Sequence, residues 1–358
     1  MKVAFVSNKN TSFGSFRIPF VYYRNKFNEL GVCTASSIDD TTDFCFCYCG
    51  EGFIRHLRRD FPSCKFIGVK PHFESNIKID NPFNPLDLLL FWLKIFRPLS
   101  FNPGFKSLSE DVDACDLLLA DTRRLLRFFS YKNHNAYFLR LLEPPLFQAS
   151  PYLPNSSESV HITYHGNPFT LASSVDDIKA LFSGLTVNYN FSFHFVTNLI
   201  NINQKKFSNF PGSCFFYEYS KSTLASVLKK THIGLVPEIQ LFPKRLSTKV
   251  LSFLLSGISQ PNADLITQKF SSNAGRAYIF AQHGIPFLAS STEEILLDFP
   301  TYHSLYGSSL SFKENTLQLK YLLTNDGFLD AQARLKSDFA SLSIHNESLR
   351  FLSFLNQF

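Results

Sequence analysis

No window of this chain approaches the roughly 20 consecutive apolar residues that a membrane-spanning helix needs. The nearest is Pro85–Phe101, PLDLLLFWLKIFRPLSF, and Asp87, Lys94, Arg97 and Pro98 interrupt it. Long blocks of one charge are missing too. The 35 Lys+Arg and 29 Asp+Glu leave a net charge of +6, with no basic tract. Nucleic-acid binding calls for a basic face and a recognisable module; neither is present, so that class is excluded. Methionine and tryptophan occur once each, against 41 phenylalanines. We read this as a compositional bias first and an aromatic surface second. The seven cysteines are odd in number and do not form a disulfide framework. The start, MKVAFVSNKN, has too short an apolar run for a secretory signal. The expected location is therefore the cytoplasm. GxGxxG and a P-loop lysine are absent, which removes the dinucleotide and ATP-hydrolysis fingerprints.

What is present is enough apolar residue to fold. Hydrophobic residues make up 45% and charged residues 18% of 358, a length that suits two domains. The mild positive excess suits anionic small molecules or an anionic membrane surface. Pro85–Phe101 reads as an interfacial segment through Leu88, Leu89, Phe91, Trp92, Ile95 and Phe96, or else as a packing helix.

Short apolar strands alternate with helical patterns. Strands are predicted at Lys2–Ser7, Phe44–Cys49, Phe66–Val69, Leu117–Ala120 and Tyr137–Leu142. After the proline-rich stretch Glu143–Ser159 they resume at Val160–Tyr164, Phe191–Thr197, Cys214–Tyr217, Ile233–Val236 and Phe287–Ala289. Such alternation predicts an α/β protein: two doubly wound Rossmann-like domains facing each other across a cleft. We place the domains at 1–150 and 151–330, with a helical tail at 331–358 that folds back on the first. Cys45, Cys47 and Cys49 then share one face of a strand. We read them as small buried apolar residues; a metal site would want a fourth ligand.

Ligands bind beyond the carboxyl ends of such strands. The loop Ser7–Arg17 offers Gly14, Ser15 and Arg17. His72 follows another strand and is a general-base candidate. His165, Gly166 and Asn167 end the next domain's first strand, and Thr197, Glu218 and Tyr219 end two more. Each of these could equally be a turn or strand-end capping residue. The strongest signal is KKTHIGLVPE, followed later by KFSSNAGRAYIFAQHGIPFLASS. Lys269, Asn273 and Arg276 there precede or open a helix, a pattern suited to a diphosphate. Glu238 is placed to accept from sugar hydroxyls. Asp111-Val112-Asp113 has a DxD spacing, but it precedes a strand instead of following one, so we read it as solvent-facing acid.

Tyr164-His165-Gly166-Asn167, Ile233-Gly234-Leu235-Val236-Pro237 and Asn273…Arg276…Ala281…Gly284-Ile285-Pro286 resemble the C-terminal domain of GT-B glycosyltransferases, in particular the retaining-type group acting on bacterial surface polysaccharides. Gly14-Ser15-Phe16-Arg17-Ile18, Leu30-Gly31 and Ala114–Asp121 are similar to that family's N-terminal domain. The resemblance implies sugar transfer from a nucleotide-sugar donor to a glycan or lipid-linked acceptor, in polysaccharide biosynthesis. It implies no cofactor and no metal. Catalysis would fall to His72 and Glu238. Gly14, Ser15, Arg17, His165, Gly166, Asn167, Thr197, Glu218, Tyr219, Lys269, Asn273 and Arg276 would bind the donor. Pro85–Phe101 would meet the inner membrane face as a peripheral contact. The sequence departs from relatives in its spacing between Lys269 and Arg276, and in placing Tyr278 where a glutamate often stands. A sugar-nucleotide epimerase and a non-catalytic glycan- or partner-binding protein are the alternatives on the same fold.

Overall fold

Parallel strands covered on both faces need apolar side chains pointing both ways, and the short apolar runs supply them. The computed structural model describes residues 1–7, 17–69, 103–131, 133–147, 159–186, 188–237, 274–290, 292–303 and 316–358. Gly14, Ser15, His72, Glu238, Lys269, Asn273 and the 85–101 segment lie outside the described residues. The chain divides into two units. Among described residues the first takes Met1–Leu141 and Ile344–Phe358, and the second takes 142–237 and 274–343.

The first unit holds β1 (Lys2–Val6), β2 (Cys33–Ala35), β3 (Phe44–Tyr48), β4 (Lys65–Val69), β5 (Leu117–Ala120) and β6 (Ala136–Phe138). All pair in parallel, in the order β2-β1-β3-β4-β5-β6. The period of two in β3 sorts its side chains between two cores. Phe44 and Phe46 join Phe5, Phe20 and Phe27 on one face, with the Phe5 and Phe46 rings stacked at 4.5 Å. Helix Ile344–Gln357 seals this face through Phe351, Leu352 and Leu355. Cys45, Cys47, Cys49 and Cys64 fill the other face beneath helix Ile54–Asp60 and the described part of Pro103–Asp113. These thiols act as small apolar groups.

Asp111 corrects one expectation. It is buried, and its carboxylate accepts from the N–H groups of Gly50 and Gly52, both at 2.8 Å, and of Ile54 at 3.3 Å. Only Asp113 of the DxD is exposed. The loop after β3 leaves three donors without a ladder partner, and a carboxylate satisfies them.

The second unit holds β7 (Val160–His165), β8 (Phe191–Thr197), β9 (Ser213–Glu218), β10 (Ile233–Val236) and β11 (Phe287–Ala289). They too are all parallel, in the order β11-β10-β7-β8-β9. Register puts Phe191, Phe193 and Phe195 on one face, packed against Phe182 of helix Pro168–Ser183 and against Phe207 and Phe210. The opposite face carries His161, Thr163 and His165 of β7 with His194 of β8 and Gly234 of β10. Strand order reverses between β7 and β10, which is the position where open parallel sheets accept ligands.

Candidate functional site at the carboxyl ends of β7 and β10

β7 stops at His165 because Gly166 follows with φ +126°, a conformation that side-chain-bearing residues rarely adopt. The turn is pinned from both sides. Gly166 donates its N–H to the Val196 carbonyl at 3.1 Å, and the Thr197 hydroxyl donates to the Gly166 carbonyl at 2.6 Å. Asn167 and Pro168 then open helix Pro168–Ser183, a favourable start because proline at the first helical position sacrifices no hydrogen bond. Buried Tyr164 donates its hydroxyl to the Asn167 carbonyl at 2.6 Å and fixes the turn from below.

A second helix, Gly275–Gln282, begins at the same place. Its N-terminus has no side-chain cap. Arg276 reaches across so that its guanidinium lies 5.5 Å from the centre of the Tyr164 ring, with Nη1 donating to the Tyr164 hydroxyl at 3.3 Å. A Cβ on residue 166 would come within 3.1 Å of Arg276 Cδ, so glycine there also leaves room for the arginine stem. Phe280, one turn beyond Arg276, lies flat on Gly234 and meets the His165 ring edge-on at 5.1 Å.

His165 is 4% exposed, and its Nε2 is buried with no hydrogen-bond partner. Burial, and then the Arg276 charge, push its pKa down to about 3, against a hydrogen bond to the Arg276 backbone that works the other way. The ring is neutral at pH 7 and keeps an unspent polar nitrogen. A neutral imidazole, a guanidinium and a helix N-terminus form a set suited to an anion with nearby hydroxyls.

The structure thus gathers His165, Gly166, Asn167, Thr197 and Arg276 at one sheet end. Thr197 is buried and committed to the Gly166 carbonyl, so it acts on the turn. Glu218 and Tyr219 end the edge strand β9. The Glu218 carboxylate accepts the Leu199 N–H at 2.9 Å, and the Tyr219 N–H donates to the Thr197 carbonyl at 3.1 Å. Arg17 belongs to the first unit, where it is buried with its guanidinium 5.7 Å from the Tyr22 ring centre. Sequence reasoning assigned no site role to Tyr164, Gly234 or Phe280. The four-residue step from Arg276 to Phe280 puts both on one helix face and was the available signal.

No protein-family model matches the sequence, and neither does any curated protein. Solved structures do match in shape. A trehalose-6-phosphate protein from E. coli, bound with UDP-2-fluoro glucose, is 12% identical with a TM-score of 0.54; the match covers 94% of this chain and 76% of that one. A mutant of TarM from S. aureus, in complex with fondaparinux, alpha-GlcNAc-glycerol and UDP, is 10% identical with a TM-score of 0.53, covering 93% and 58%. The pneumococcal O-GlcNAc transferase GtfA, in complex with UDP and GlcNAc, is 9% identical with a TM-score of 0.50, covering 95% and 60%. The chain spans about three fifths of the latter two proteins. At such identities the likeness establishes the fold: two parallel-sheet α/β units of the GT-B type that glycosyltransferases use. Among the described residues no helix is long and apolar enough to cross a membrane.

Proposed function

We propose that this chain is a glycosyltransferase that takes a sugar from a nucleotide-sugar donor and passes it to a glycan or lipid-linked acceptor. One observation carries the reading. The buried Nε2 of His165, without a hydrogen-bond partner among the described residues, sits beside Arg276 at the start of helix Gly275–Gln282 and at the strand-order reversal of the second sheet. Breaking the bond between sugar and diphosphate leaves new negative charge on the nucleotide. A fixed guanidinium and a helix N-terminus oppose that charge without reorganising during the reaction. His165 stays neutral beside Arg276 and so donates to an oxygen without adding a second cation. UDP in the structures of TarM and GtfA, and UDP-2-fluoro glucose in the E. coli protein, favour uridine nucleotides as first probes. His72 as general base, Glu238 on sugar hydroxyls, and Lys269 and Asn273 on phosphate complete the proposal from sequence. With cations from the chain facing the diphosphate, a divalent metal has no assigned task.

Thermal denaturation with UDP, UDP-sugars and other nucleoside diphosphates tests this, because a ligand of the folded state raises the melting temperature. The expected result is stabilisation by one nucleotide class, unchanged by EDTA. Arg276→Ala should weaken that binding by about 1–3 kcal/mol, the range for a charged hydrogen bond. No shift with any nucleotide, or full affinity in Arg276→Ala, overturns the reading. Peripheral membrane contact through residues 85–101 is proposed from sequence. Flotation with anionic liposomes that survives replacement of Leu89, Trp92 and Phe96 by serine would remove that segment from the contact.

A further inference from the structure

Three histidines of the second unit lie away from the ligand site, at the start and middle of its sheet. His161 is the second residue of β7, His194 the middle of β8, and His232 the residue before β10. They are hydrogen-bonded in series. The His161 backbone N–H donates to Nδ1 of His232 at 2.9 Å, and the His232 N–H donates back to the His161 carbonyl at 2.9 Å. Nδ1 of His161 faces Nε2 of His194 at 2.8 Å, and Nδ1 of His194 faces the Tyr217 hydroxyl of β9 at 3.2 Å. His194 is 1% exposed and stacks on Phe215 at 5.2 Å. The network therefore ties together the start of β7, the approach to β10, the middle of β8 and the Tyr217 side chain of β9.

We propose that this histidine network is an acid-sensitive latch: neutral, it holds β7 to β8 and to the approach of β10; charged, it releases them. The chemistry follows from the donor count. Nδ1 of His232 must be bare to accept the His161 N–H, so a proton there breaks that bond. The 2.8 Å bond between His161 and His194 has room for one hydrogen, so charging both rings sets two N–H groups against each other.

Among the described residues, Thr163, Thr231, Phe215, Tyr217 and Lys230 lie around the rings, and all are neutral or cationic. β7 contributes His161 itself and Thr163, whose hydroxyl pairs with Thr231 at 2.6 Å. β8 contributes His194, and β9 contributes Phe215 and Tyr217. The segment entering β10 contributes Lys230, whose Nζ donates to the Tyr217 hydroxyl at 3.4 Å. Helix Lys221–Leu228, packed on β7 and β8, buries Leu224, Val227 and Leu228. Among the described residues, Lys230 and the rings themselves act electrostatically on the three, and no carboxylate does.

Burial, with Lys230 and the other rings adding to it, lowers the pKa of His194 to about 3. Burial and His161 lower that of His232 to about 4. Burial and Lys230 lower that of His161 as well. Folded values below the unfolded one mean that the unfolded chain binds protons first. The stabilisation is complete above the unfolded histidine pKa of roughly 6.5 and is lost as pH falls from there toward the folded values. Thiols fill the corresponding core of the first unit.

Hydrogen exchange of the full chain at pH 7.5 and pH 5.5, expressed as protection factors to cancel intrinsic exchange, tests the latch. Peptides covering Val160–His165, Phe191–Thr197 and residues 229–236 should lose protection on acidification by roughly tenfold more than those covering Phe44–Tyr48 and Leu117–Ala120, since each ring with a strongly depressed pKa contributes up to about tenfold per pH unit below 6.5. His232→Asn keeps an acceptor for the His161 N–H but cannot titrate. His194→Phe keeps the stacked ring. Each should remove part of the excess loss, while His165 and His283 still titrate as internal controls. Equal acid response of the two units in the wild-type chain overturns the proposal, whatever the variants do. So does an undiminished excess in both variants.

Discussion

The two sheets are built alike and hide different chemistry. In the first unit the small polarisable groups under the helices are thiols: Cys45, Cys47, Cys49 and Cys64. In the second unit the matching layer holds imidazoles: His161, His165 and His194. Both residue types fit a half-polar layer between strand and helix, but they answer the environment in opposite ways. Burial and then neighbouring Cys47 raise Cys64 to about 12, and a hydrogen bond to Cys47 with burial raises Cys45, so these two thiols stay protonated and inert. Burial lowers the imidazole values, and a proton taken up below the ordinary histidine range costs folded stability. The first core is thus chemically quiet, while the second carries reserve polarity. One imidazole, His165, ends β7 beside Arg276 in the candidate site. Three others are turned toward one another.

The first unit keeps a buried ion pair elsewhere, and breaking it should give the largest effect. Glu347 of helix Ile344–Gln357 is buried. It accepts from the Arg140 backbone at 3.1 Å, from Arg140 Nη1 at 3.3 Å and from Arg350 Nη2 at 2.5 Å. The Tyr23 hydroxyl donates to the Arg140 carbonyl at 2.6 Å and extends the lock to the first helix. Glu347→Ala leaves the buried Arg140 charge without its carboxylate. Urea unfolding should show a loss of about 3–5 kcal/mol, with hydrogen-exchange protection lost in the first unit and retained at β7 and β8. An equal loss at β7 and β8 would mean that the two units do not unfold separately, and the contrast between their cores could not be measured this way.

A paired substitution sharpens the comparison at smaller scale. Each sheet has a glycine beneath its covering layer. A Cβ on Gly234 of β10 would come within 2.6 Å of three ring atoms of Phe280, which is fully buried. The ring cannot move without displacing His165, against which it packs. Gly234→Ala should cost about 1–3 kcal/mol, as overpacked cores do, and should weaken nucleotide binding as well. A neutral Gly234→Ala would show that the layer over β10 is soft and that His165 is not held by Phe280.

Much of this was legible in the chain. Leu117–Ala120, Phe191–Thr197, Ile233–Val236 and Phe287–Ala289 form strands with the predicted bounds, because apolar runs closed by turn residues have few other uses in an α/β protein. β2, Cys33–Ala35, escaped notice because it is a three-residue edge strand with no buried run. Helix Pro168–Ser183 opens on Pro168, a residue that suits the first helical position but adds no apolar spacing to announce it. His165 was named as a site candidate from its strand-end position, whereas the role of His161 was not legible, because it pairs with a histidine of β8 distant in sequence. The burial of Asp111 was hidden for the same reason, since its partners come from the loop after β3.

Gly68 of β4 gives the smallest expected effect and the most direct test of the contrast. A Cβ there would come within 2.8 Å of the Cys49 and Cys115 sulfurs and of Leu118 Cδ2. Three side-chain ends crowd this position, two of them sulfurs on single rotatable bonds, whereas at Gly234 the three close atoms belong to one rigid ring. Small rotations can absorb the methyl group. Alanine also removes conformational freedom from the unfolded chain, worth roughly 0.4–1 kcal/mol in its favour where the backbone accepts it. Gly68→Ala should therefore change stability by less than about 1 kcal/mol. Adding Cys115→Ala, which deletes one of the crowding sulfurs, should make the glycine substitution neutral or favourable in a double-mutant cycle. A Gly68→Ala cost equal to that of Gly234→Ala, unrelieved by Cys115→Ala, would show the thiol layer to be as fixed as the Phe280 ring. The two cores would then differ in their response to protons but not in their rigidity.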